Sequence, residues 1–391
     1  MPDRDPTPPH VRVRAAVRRS LIDLTPVIRP RPDNPDGTSS EEATMEAFQR
    51  ALAQLRDEIA RGEYGEAARA ASATAGHGAR PGPTSRDHGT VPLVLIACSG
   101  GPDSMALAVA ARAEHERVGA VIIDHRVRAG SAAEAERTAG WLREAGLDPV
   151  VVRPVVVDPA GSGLEAGARR ARYAALDVAA WELDAVRVLL GHTLDDQAET
   201  VLLGLARGSG VRSLAGMPRS RGIYLRPFLD LPRAVVRAAV PDGAPVVDAP
   251  HNADARFARA RVRHRILPVL EAELGPGIAE ALARTADLAR ADADQLDELA
   301  DERAYELMRG DELEAEDVDD LGPALLSRIV RTWLVDRGVR PGSLTAEHTV
   351  RVMSLVIEWR GQGAVALPGG VEVVRECGRL RVRPAPSSLE S

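Results

Sequence analysis

A continuous apolar run at residues 91–98, Val-Pro-Leu-Val-Leu-Ile-Ala-Cys, constrains the fold of this chain more than any other feature. It has the length of a strand and no polar face, as strands do in the middle of a parallel sheet. Strand and helix patterns then alternate, with strands at 120–124, 150–157 and 186–191 and helices at 104–113, 134–145, 164–183 and 194–207. This alternation predicts an α/β fold with a doubly wound parallel sheet.

The regions on either side of this α/β segment differ from it in composition. Residues 9–25 have an amphipathic helical pattern, so we expect an N-terminal helix within 1–26. Residues 27–90 are rich in Pro, Gly, Ser and Ala, and we expect them to be a disordered insertion. We place the sheet domain at 91–248. Long helical patterns and a strand-like tail then predict a smaller, mainly helical domain at 249–391 with a short β segment.

The composition excludes several classes of protein. The sequence contains no lysine, so all 50 basic residues are arginine, and a Walker-type P-loop or a lysine nucleophile is impossible. A net charge of −7 argues against unselective coating of nucleic acid. Two cysteines, Cys98 and Cys377, make no disulfide framework, and no apolar stretch is long enough to span a bilayer. We therefore expect a cytoplasmic protein that has no membrane partner.

The loop after the first strand, Ser99-Gly100-Gly101-Pro102-Asp103-Ser104, carries the clearest chemical signal. Its glycines let the backbone approach phosphates closely, and its hydroxyls and the start of a helix favour anions. It also follows the carboxyl end of a strand, where doubly wound sheets bind their ligands. Gly-Gly-Pro also occurs in ordinary turns, but six such residues between a strand and a helix favour an ATP-binding loop.

This loop has the form Ser-Gly-Gly-x-Asp-Ser, and through it the chain resembles the PP-loop ATP pyrophosphatases, which cleave ATP between the α- and β-phosphates. Residues 123–128, 164–173 and 191–217 are similar to one family of that superfamily, the tRNA(Ile)-lysidine synthetases, and particularly to its actinobacterial members. The likeness extends through 252–254 and 259–268 and covers about 91–305. It implies an adenine nucleotide alpha-hydrolase-like sheet domain.

The resemblance also implies a reaction. Members of this family ligate free L-lysine to C2 of the wobble cytidine of a tRNA(Ile) with a CAU anticodon. The cytidine is first adenylated at its C2 oxygen, and lysine then displaces AMP. The implied cofactors are ATP and Mg²⁺, the implied partners are that tRNA and free lysine, and a homodimer is possible.

On the matching positions we expect catalytic roles for five residues: Asp103, His192, Asp196, Glu199 and Arg261. Asp196 and Glu199 are three apart on a predicted helix, so they share a face and can bind Mg²⁺ or an ammonium group. Thr193 to Asp196 also fits a capping box, which is the purely structural interpretation. The predicted metal ligands are Asp103 and Asp196.

ATP contacts are expected from the loop at 99–104 and from His125, Arg169 and Arg172. A histidine at a strand end is as often structural, and arginines on a helix surface are usually solvated. For tRNA phosphates we expect contacts from the densest basic run of an acidic chain and from one earlier arginine, namely Arg207, Arg256, Arg259, Arg263 and Arg265. The alternative for these residues is a solvated helix face.

Three residues depart from the family pattern. Arg126 stands where the family has glycine, Ala249 where an acid is common, and Ala260 where asparagine is common.

Two other functions remain open at this point. A cytidine thiolase of the same superfamily would need paired cysteines, and a catalytically silent nucleotide- or tRNA-binding homologue would not need the acidic residues listed above to be intact.

Overall fold

The computed structural model of the protein describes residues 5–22, 24, 91–126, 130–156, 164–208, 210–247, 254–316, 318 and 321–385. The predicted insertion at 27–90 and the predicted domain boundary after residue 248 lie outside these residues.

A six-stranded sheet forms the centre of the first domain, in the order β3-β2-β1-β4-β6-β5. Its strands are β1 Leu93–Cys98, β2 Val118–Asp124, β3 Val150–Pro154, β4 Ala185–Leu189, β5 Ser220–Arg221 and β6 Tyr224–Leu225. Every neighbouring pair is parallel except β5 with β6, which form an antiparallel hairpin at the edge. The predicted α/β fold is confirmed.

Helices cover both faces of this sheet. They are α1 Pro9–Ser20, α2 Pro102–Glu114, α3 Ser131–Glu144, α4 Leu164–Glu182, α5 Leu194–Ala206, α6 Val211–Leu214 and α7 Arg233–Ala238. Val94 and Ile96 of β1 pack with α1, α2 and α3, whereas Leu95 packs with Leu176 of α4 on the other face. Because alternate residues of β1 enter different cores, its sequence is apolar throughout.

The leading helix α1 belongs to the first of these cores. Val13, Ala16 and Val17 are buried against α2 and α7, which accounts for the amphipathic pattern. On the polar side of α1, the Nε atoms of Arg14 and Arg18 lie 2.5 and 2.7 Å from the carboxylate of Glu114 at the end of α2.

The second domain begins with a chain of helices and ends in a sheet. Its helical parts are α8 Ala258–Arg261, a π-helical turn Val262–Ile266, α9 Leu267–Leu274, α10 Ile278–Leu307, α11 Pro323–Asp336 and α12 Ala346–Ile357. Its strands are β7 Met308–Arg309, β8 Glu312–Glu314, β9 Val365–Leu367, β10 Val371–Glu376 and β11 Arg379–Pro384. They form an antiparallel sheet in the order β7-β8-β11-β10-β9 around a core that contains Trp333.

This second sheet is larger than the sequence pattern predicts. The tail at 364–383 forms strands as expected, but β7 and β8 join them, and these contain only two and three residues. Strands so short leave no periodic pattern, and β7 follows directly after the 30-residue helix α10. In the first sheet, β3 ends at Pro154 rather than at residue 157, because Pro154 pairs with Asp124, the last residue of its partner strand β2.

Candidate active site

The candidate site lies where the strand order of the first sheet reverses. The chain passes from β1 to β2 on one side, whereas β4 lies on the other side of β1. The carboxyl ends of β1 and β4 are therefore neighbours at a switch point, which is the usual ligand position in doubly wound sheets. The Ser-Gly-Gly loop follows β1, and Gly191 and His192 follow β4. A Cβ atom on Gly191 would lie only 3.1 Å from the carbonyl oxygen of Asp103, so the two segments pack backbone against backbone.

Internal hydrogen bonds hold the loop after β1 in shape. The hydroxyl of Ser104 accepts a hydrogen bond from the backbone N of Ser99 at 3.2 Å and donates to the carbonyl of Gly101 at 2.9 Å. Gly100 has a φ of +76°, and a Cβ atom there would meet Thr138 Oγ1 at 3.1 Å. Glycine is required on both counts. The start of helix α2 at Pro102 thus faces the crevice, where its backbone N–H groups can bind phosphate.

Asp103 is an acidic side chain with incomplete hydrogen bonding. Its Oδ1 is buried without a hydrogen bond, and Arg233 and Arg237 of α7 approach the carboxylate at 4.0 and 3.8 Å. Burial, with a smaller contribution from Asp196, raises the pKa of Asp103 to about 6, although the two arginines and Arg263 act in the opposite direction. An under-solvated carboxylate beside a phosphate-binding loop is suited to a cation.

Helix α5 begins with the interaction that the capping motif predicts. Asp196 Oδ2 accepts hydrogen bonds from the backbone N and the hydroxyl of Thr193, at 2.8 and 2.9 Å. Its neighbour Asp195 accepts at 2.7 Å from the backbone N of Arg233, which ties the start of α7 to the start of α5. The structural interpretation of this motif is therefore correct, but it uses only one oxygen of Asp196.

The other oxygen of Asp196 and the whole of Glu199 enter a cluster with three arginines. Arg233 lies 3.1 Å from Asp196 Oδ1 and 3.0 Å from Glu199 Oε1. Arg263 lies 3.0 Å and 2.7 Å from the same two oxygens, and Arg259 lies 2.9 Å from Glu199 Oε2. Burial opposes the charge of Asp196, but Arg259 and Arg233 outweigh it and hold the pKa of Asp196 well below its usual range. We call these five residues the carboxylate–arginine cluster.

The π-helical turn explains why Arg259 and Arg263 reach the same acids. It runs from Val262 to Ile266 and precedes Pro268, which has no N–H for the carbonyl four residues earlier. The two arginines are four apart, so they project from one side of this segment toward α5. Ala198 of α5 packs against Val262, which fixes the distance between the two elements.

His192 adds a neutral base to the site. Burial lowers the pKa of His192 to about 3, Asp196 partly counteracts this, and the guanidinium groups of Arg172 and Arg226 strengthen it. The imidazole is therefore uncharged at neutral pH, and its Nδ1 is buried without a hydrogen bond. Burial also lowers the pKa of Arg172, which extends from α4 toward the Cys98 end of β1.

Other predicted residues lie farther from this centre. His125 follows β2 at the same edge of the sheet. Arg126, the next residue, has a φ of +51°, in the left-handed region that the family's glycine would adopt without strain. Arg169 stacks on Tyr173, its guanidinium carbon 5.0 Å from the ring centre. Arg261 is exposed and donates to the carbonyls of residues 255 and 256, so the structure does not bring it to the carboxylates.

The residues predicted to contact tRNA separate into two groups. Arg259 and Arg263 face inward as part of the carboxylate–arginine cluster. Arg207, Arg256 and Arg265 are exposed, and Arg256 pairs with Asp254 at 2.7 Å. The sequence analysis did not predict a role for Arg233 and Arg237, because two arginines on a short helix are typical of a solvent-exposed surface. Pro232 at the N-cap of α7 was the only local signal that they begin a helix.

Comparisons with known proteins relate the chain to several relatives. Residues 86–270 match the PP-loop domain model ATP_bind_3, and residues 313–381 match the TilS substrate binding domain. The chain is similar to a tRNA(Ile)-lysidine synthase of Streptomyces coelicolor, 52% identical over 75% of this chain and 86% of that protein. It is similar to another from Thermobifida fusca, 51% identical over 74% and 91%. Among solved structures, a U34-tRNA thiolase from Methanococcus maripaludis matches with a TM-score of 0.44 and 17% identity, over 51% of this chain and 72% of that one.

Two features are absent from the described part of the chain. No helix in it is long and apolar enough to cross a membrane. It also contains no group of three or more His, Cys, Asp or Glu side chains placed to hold a metal ion.

Proposed function

The chain belongs to the family of tRNA(Ile)-lysidine synthases, and we propose that it joins free L-lysine to C2 of the wobble cytidine of a tRNA(Ile) with a CAU anticodon. One observation carries the proposal. The phosphate-binding loop after β1 and the carboxylate–arginine cluster after β4 lie together at the switch point of the sheet. A nucleotide and a second, charged substrate can therefore meet there.

The reaction has two steps that this site can support. The C2 oxygen of cytidine attacks the α-phosphate of ATP, and diphosphate leaves with the electrons of the broken P–O bond. The amine of lysine then attacks C2, loses a proton, and AMP leaves with the C2 oxygen. The loop amides and the start of α2 would hold the phosphates. Arg233 and Arg237, beside Asp103, are placed to stabilise the negative charge that develops on diphosphate.

Mg²⁺, which the family's use of ATP implies, fits Asp103 better than Asp196. Asp103 has a buried oxygen without a hydrogen bond, whereas both oxygens of Asp196 are occupied by Thr193 and arginines. When bound, the metal would neutralise phosphate charge. We therefore propose Asp103 as the metal-binding residue, and Asp196 as a second ligand only if an arginine moves away.

Asp196 and Glu199 are proposed to act through charge. Their two negative charges balance most of the charge of three largely buried guanidinium groups and hold these groups at the crevice. A lysine ammonium could bind there by replacing one guanidinium. Neutral His192, with its free Nδ1, is placed to accept a hydrogen bond from the incoming amine.

For the tRNA, we propose phosphate contacts at the exposed residues Arg207, Arg256, Arg261 and Arg265. ATP contacts are proposed for Arg172, and also for His125 and Arg169 at the edge of the site. Modification of tRNA favours a cytoplasmic location. A homodimer remains a prediction.

The thiolase alternative has little support in the structure. Cys98 is buried, Cys377 is exposed in the second domain, and both are free, so they offer no pair for sulfur transfer. Burial raises the pKa of the Cys98 thiol, which disfavours the thiolate that such chemistry needs. The silent alternative is disfavoured by the intact loop and acidic residues.

The test is the stoichiometry of product release. Purified protein is incubated with ATP, Mg²⁺ and a tRNA(Ile) transcript that carries CAU, with and without lysine, and AMP and diphosphate are measured. We expect AMP release to depend on both tRNA and lysine. A methionine tRNA with the same anticodon is the specificity control. Equal AMP release with and without lysine would contradict the proposal.

A further inference from the structure

A groove lies beside the candidate site, between helix α4 and the β5–β6 hairpin, with a volume of about 860 Å³. The side chains that matter for its chemistry are Arg169, Tyr173 and Trp181 from α4, and Arg221, Tyr224 and Arg226 from the hairpin and its end. Of its lining residues, the proposed function uses only Arg169, as an ATP contact at the edge of the site.

The aromatic residues of the groove differ in how firmly they are held. The ring of Tyr173 contacts Tyr224 edge-on at 4.9 Å and has Arg169 over its face. Trp181, eight residues farther along the same side of α4, is 60% exposed. The two tyrosine rings at one end of the groove are therefore packed against each other, whereas the indole ring of Trp181 at the other end is largely exposed.

The charge of the groove is opposite to that of the whole chain. Four arginines line it, against one acid, Asp177, whose Oδ1 accepts a hydrogen bond from the hydroxyl of Tyr224 at 2.5 Å. The chain as a whole carries a formal net charge of −7. A local excess of guanidinium groups beside an exposed aromatic ring is the combination that binds single-stranded nucleic acid, because rings stack on bases and arginines attract phosphates.

The groove adjoins the candidate site at Arg226, whose charge acts on His192. Arg226 is 4% exposed, follows β6, and donates to the hydroxyl of Tyr173 at 3.4 Å. The adjacent Leu225 accepts a hydrogen bond from the backbone N of Leu190, one residue before Gly191 and two before His192. The Nε atom of Arg226 is buried without a hydrogen bond, so the junction between groove and site holds an unsatisfied donor. From Arg169 to Trp181, α4 runs about 18 Å, room for several bases stacked at roughly 3.4 Å.

We propose that this groove binds the anticodon-loop nucleotides next to the wobble cytidine, with a base stacked on Trp181 and a phosphate near Arg221. This inference rests on the proposed function, because it is the wobble cytidine at the switch point that brings its neighbours to the groove. Single-stranded loops are where RNA exposes bases for stacking. The groove thus selects an unpaired loop rather than a duplex.

The experiment uses an anticodon stem-loop RNA with 2-aminopurine beside the wobble cytidine, titrated with the full-length protein. Binding to the wild type should quench the probe, since the base stacks on the indole. Trp181→Ala should remove most of the quenching and raise the Kd by about tenfold, whereas Trp181→Phe should keep the quenching. Arg221→Ala should weaken binding and reduce the salt dependence by about one phosphate contact. Arg137→Ala is the matched control, because Arg137 is exposed on α3, which covers the opposite face of the sheet.

Two results would overturn the inference. The first is that Trp181→Ala and Arg221→Ala both quench the probe and bind the RNA as strongly as the wild type does. The second is weaker binding of whole tRNA with unchanged binding of the stem-loop, which would assign the groove to another part of the tRNA. Failure of the proposed function is a different result, namely no lysine-dependent AMP release by the wild type, and the probe still reports whether RNA enters the groove.

Discussion

At the scale of single residues, two carboxylates near the switch point have opposite electrostatic environments. Asp103 is buried with incomplete pairing and its pKa is raised, whereas arginines keep the pKa of Asp196 low. Carboxylates whose pKa values are pushed apart generally have different roles. Here Asp196 is a permanent anion that holds arginines in place, and Asp103 is an acid that gains from a cation.

Asp103 should make stability depend on pH. Its folded pKa of about 6 exceeds the unfolded value of 3.8, so the folded state binds the proton more tightly and loses stability as pH rises between these values. Asp103→Asn should therefore raise the free energy of unfolding at pH 7 by up to about 3 kcal/mol. Urea unfolding near pH 4 should show a difference of less than about 1 kcal/mol between variant and wild type. A variant that is less stable at pH 7 would contradict this electrostatic account.

Glu199 should matter for stability far more than a surface acid does. Its side chain is fully buried against Arg259, Arg263 and Arg233, so Glu199→Gln leaves Asp196 as the remaining counter-charge that these three guanidinium groups share within the cluster. We expect a loss of about 3–5 kcal/mol in the free energy of unfolding. The matched control is Glu182→Gln, which breaks a half-exposed pair with Arg153 and should cost about 0.5 kcal/mol. Equal losses for the two variants would show that the buried cluster is not stabilising.

At the scale of elements, the site depends on how closely the loop after β1 approaches the end of β4. Gly191 permits this approach, because a Cβ atom would lie 3.1 to 3.3 Å from the backbone of Asp103 and Ser104. Gly191→Ala should displace the start of α2 and weaken ATP binding by about tenfold, as measured by calorimetry. Gly140→Ala is the control, since no atom lies within 4 Å of its Cβ position and the helix α3 should gain about 0.5–1 kcal/mol. Unchanged ATP affinity in Gly191→Ala would contradict the packing argument.

The sequence predicts the elements better than it predicts their contacts. The loop at 99–104 and the capping of α5 by Thr193 and Asp196 are local, so their residue types and spacing suffice. Arg233 and Arg237 reach the loop only through the tertiary packing of α7, and no periodic pattern reports that. For the same reason Arg259 and Arg263 read as an exposed basic run, although α5 turns them inward.

At the scale of the whole molecule, the site contains residues from both the α/β region and the helical region that the sequence analysis distinguishes. The acids of the carboxylate–arginine cluster come from α5, while Arg259 and Arg263 come from the helical segment that begins at Ala258 and leads into α10. Helix α10 then packs against α5 and α6 near its start and enters the second core near its end, at Ala300, Ala304 and Leu307. A movement of α10 would therefore displace α5, the helix that carries Asp196 and Glu199.

The most direct test of the account is the identity of the wobble nucleoside after reaction. The tRNA(Ile) transcript is incubated with the protein, ATP, Mg²⁺ and isotopically labelled lysine, digested to nucleosides, and analysed by mass spectrometry. The protein contains no lysine, so lysine in the RNA fraction cannot come from the enzyme. The account predicts labelled lysidine in place of the wobble cytidine, and none with Asp103→Asn. An unmodified or thiolated cytidine would contradict it.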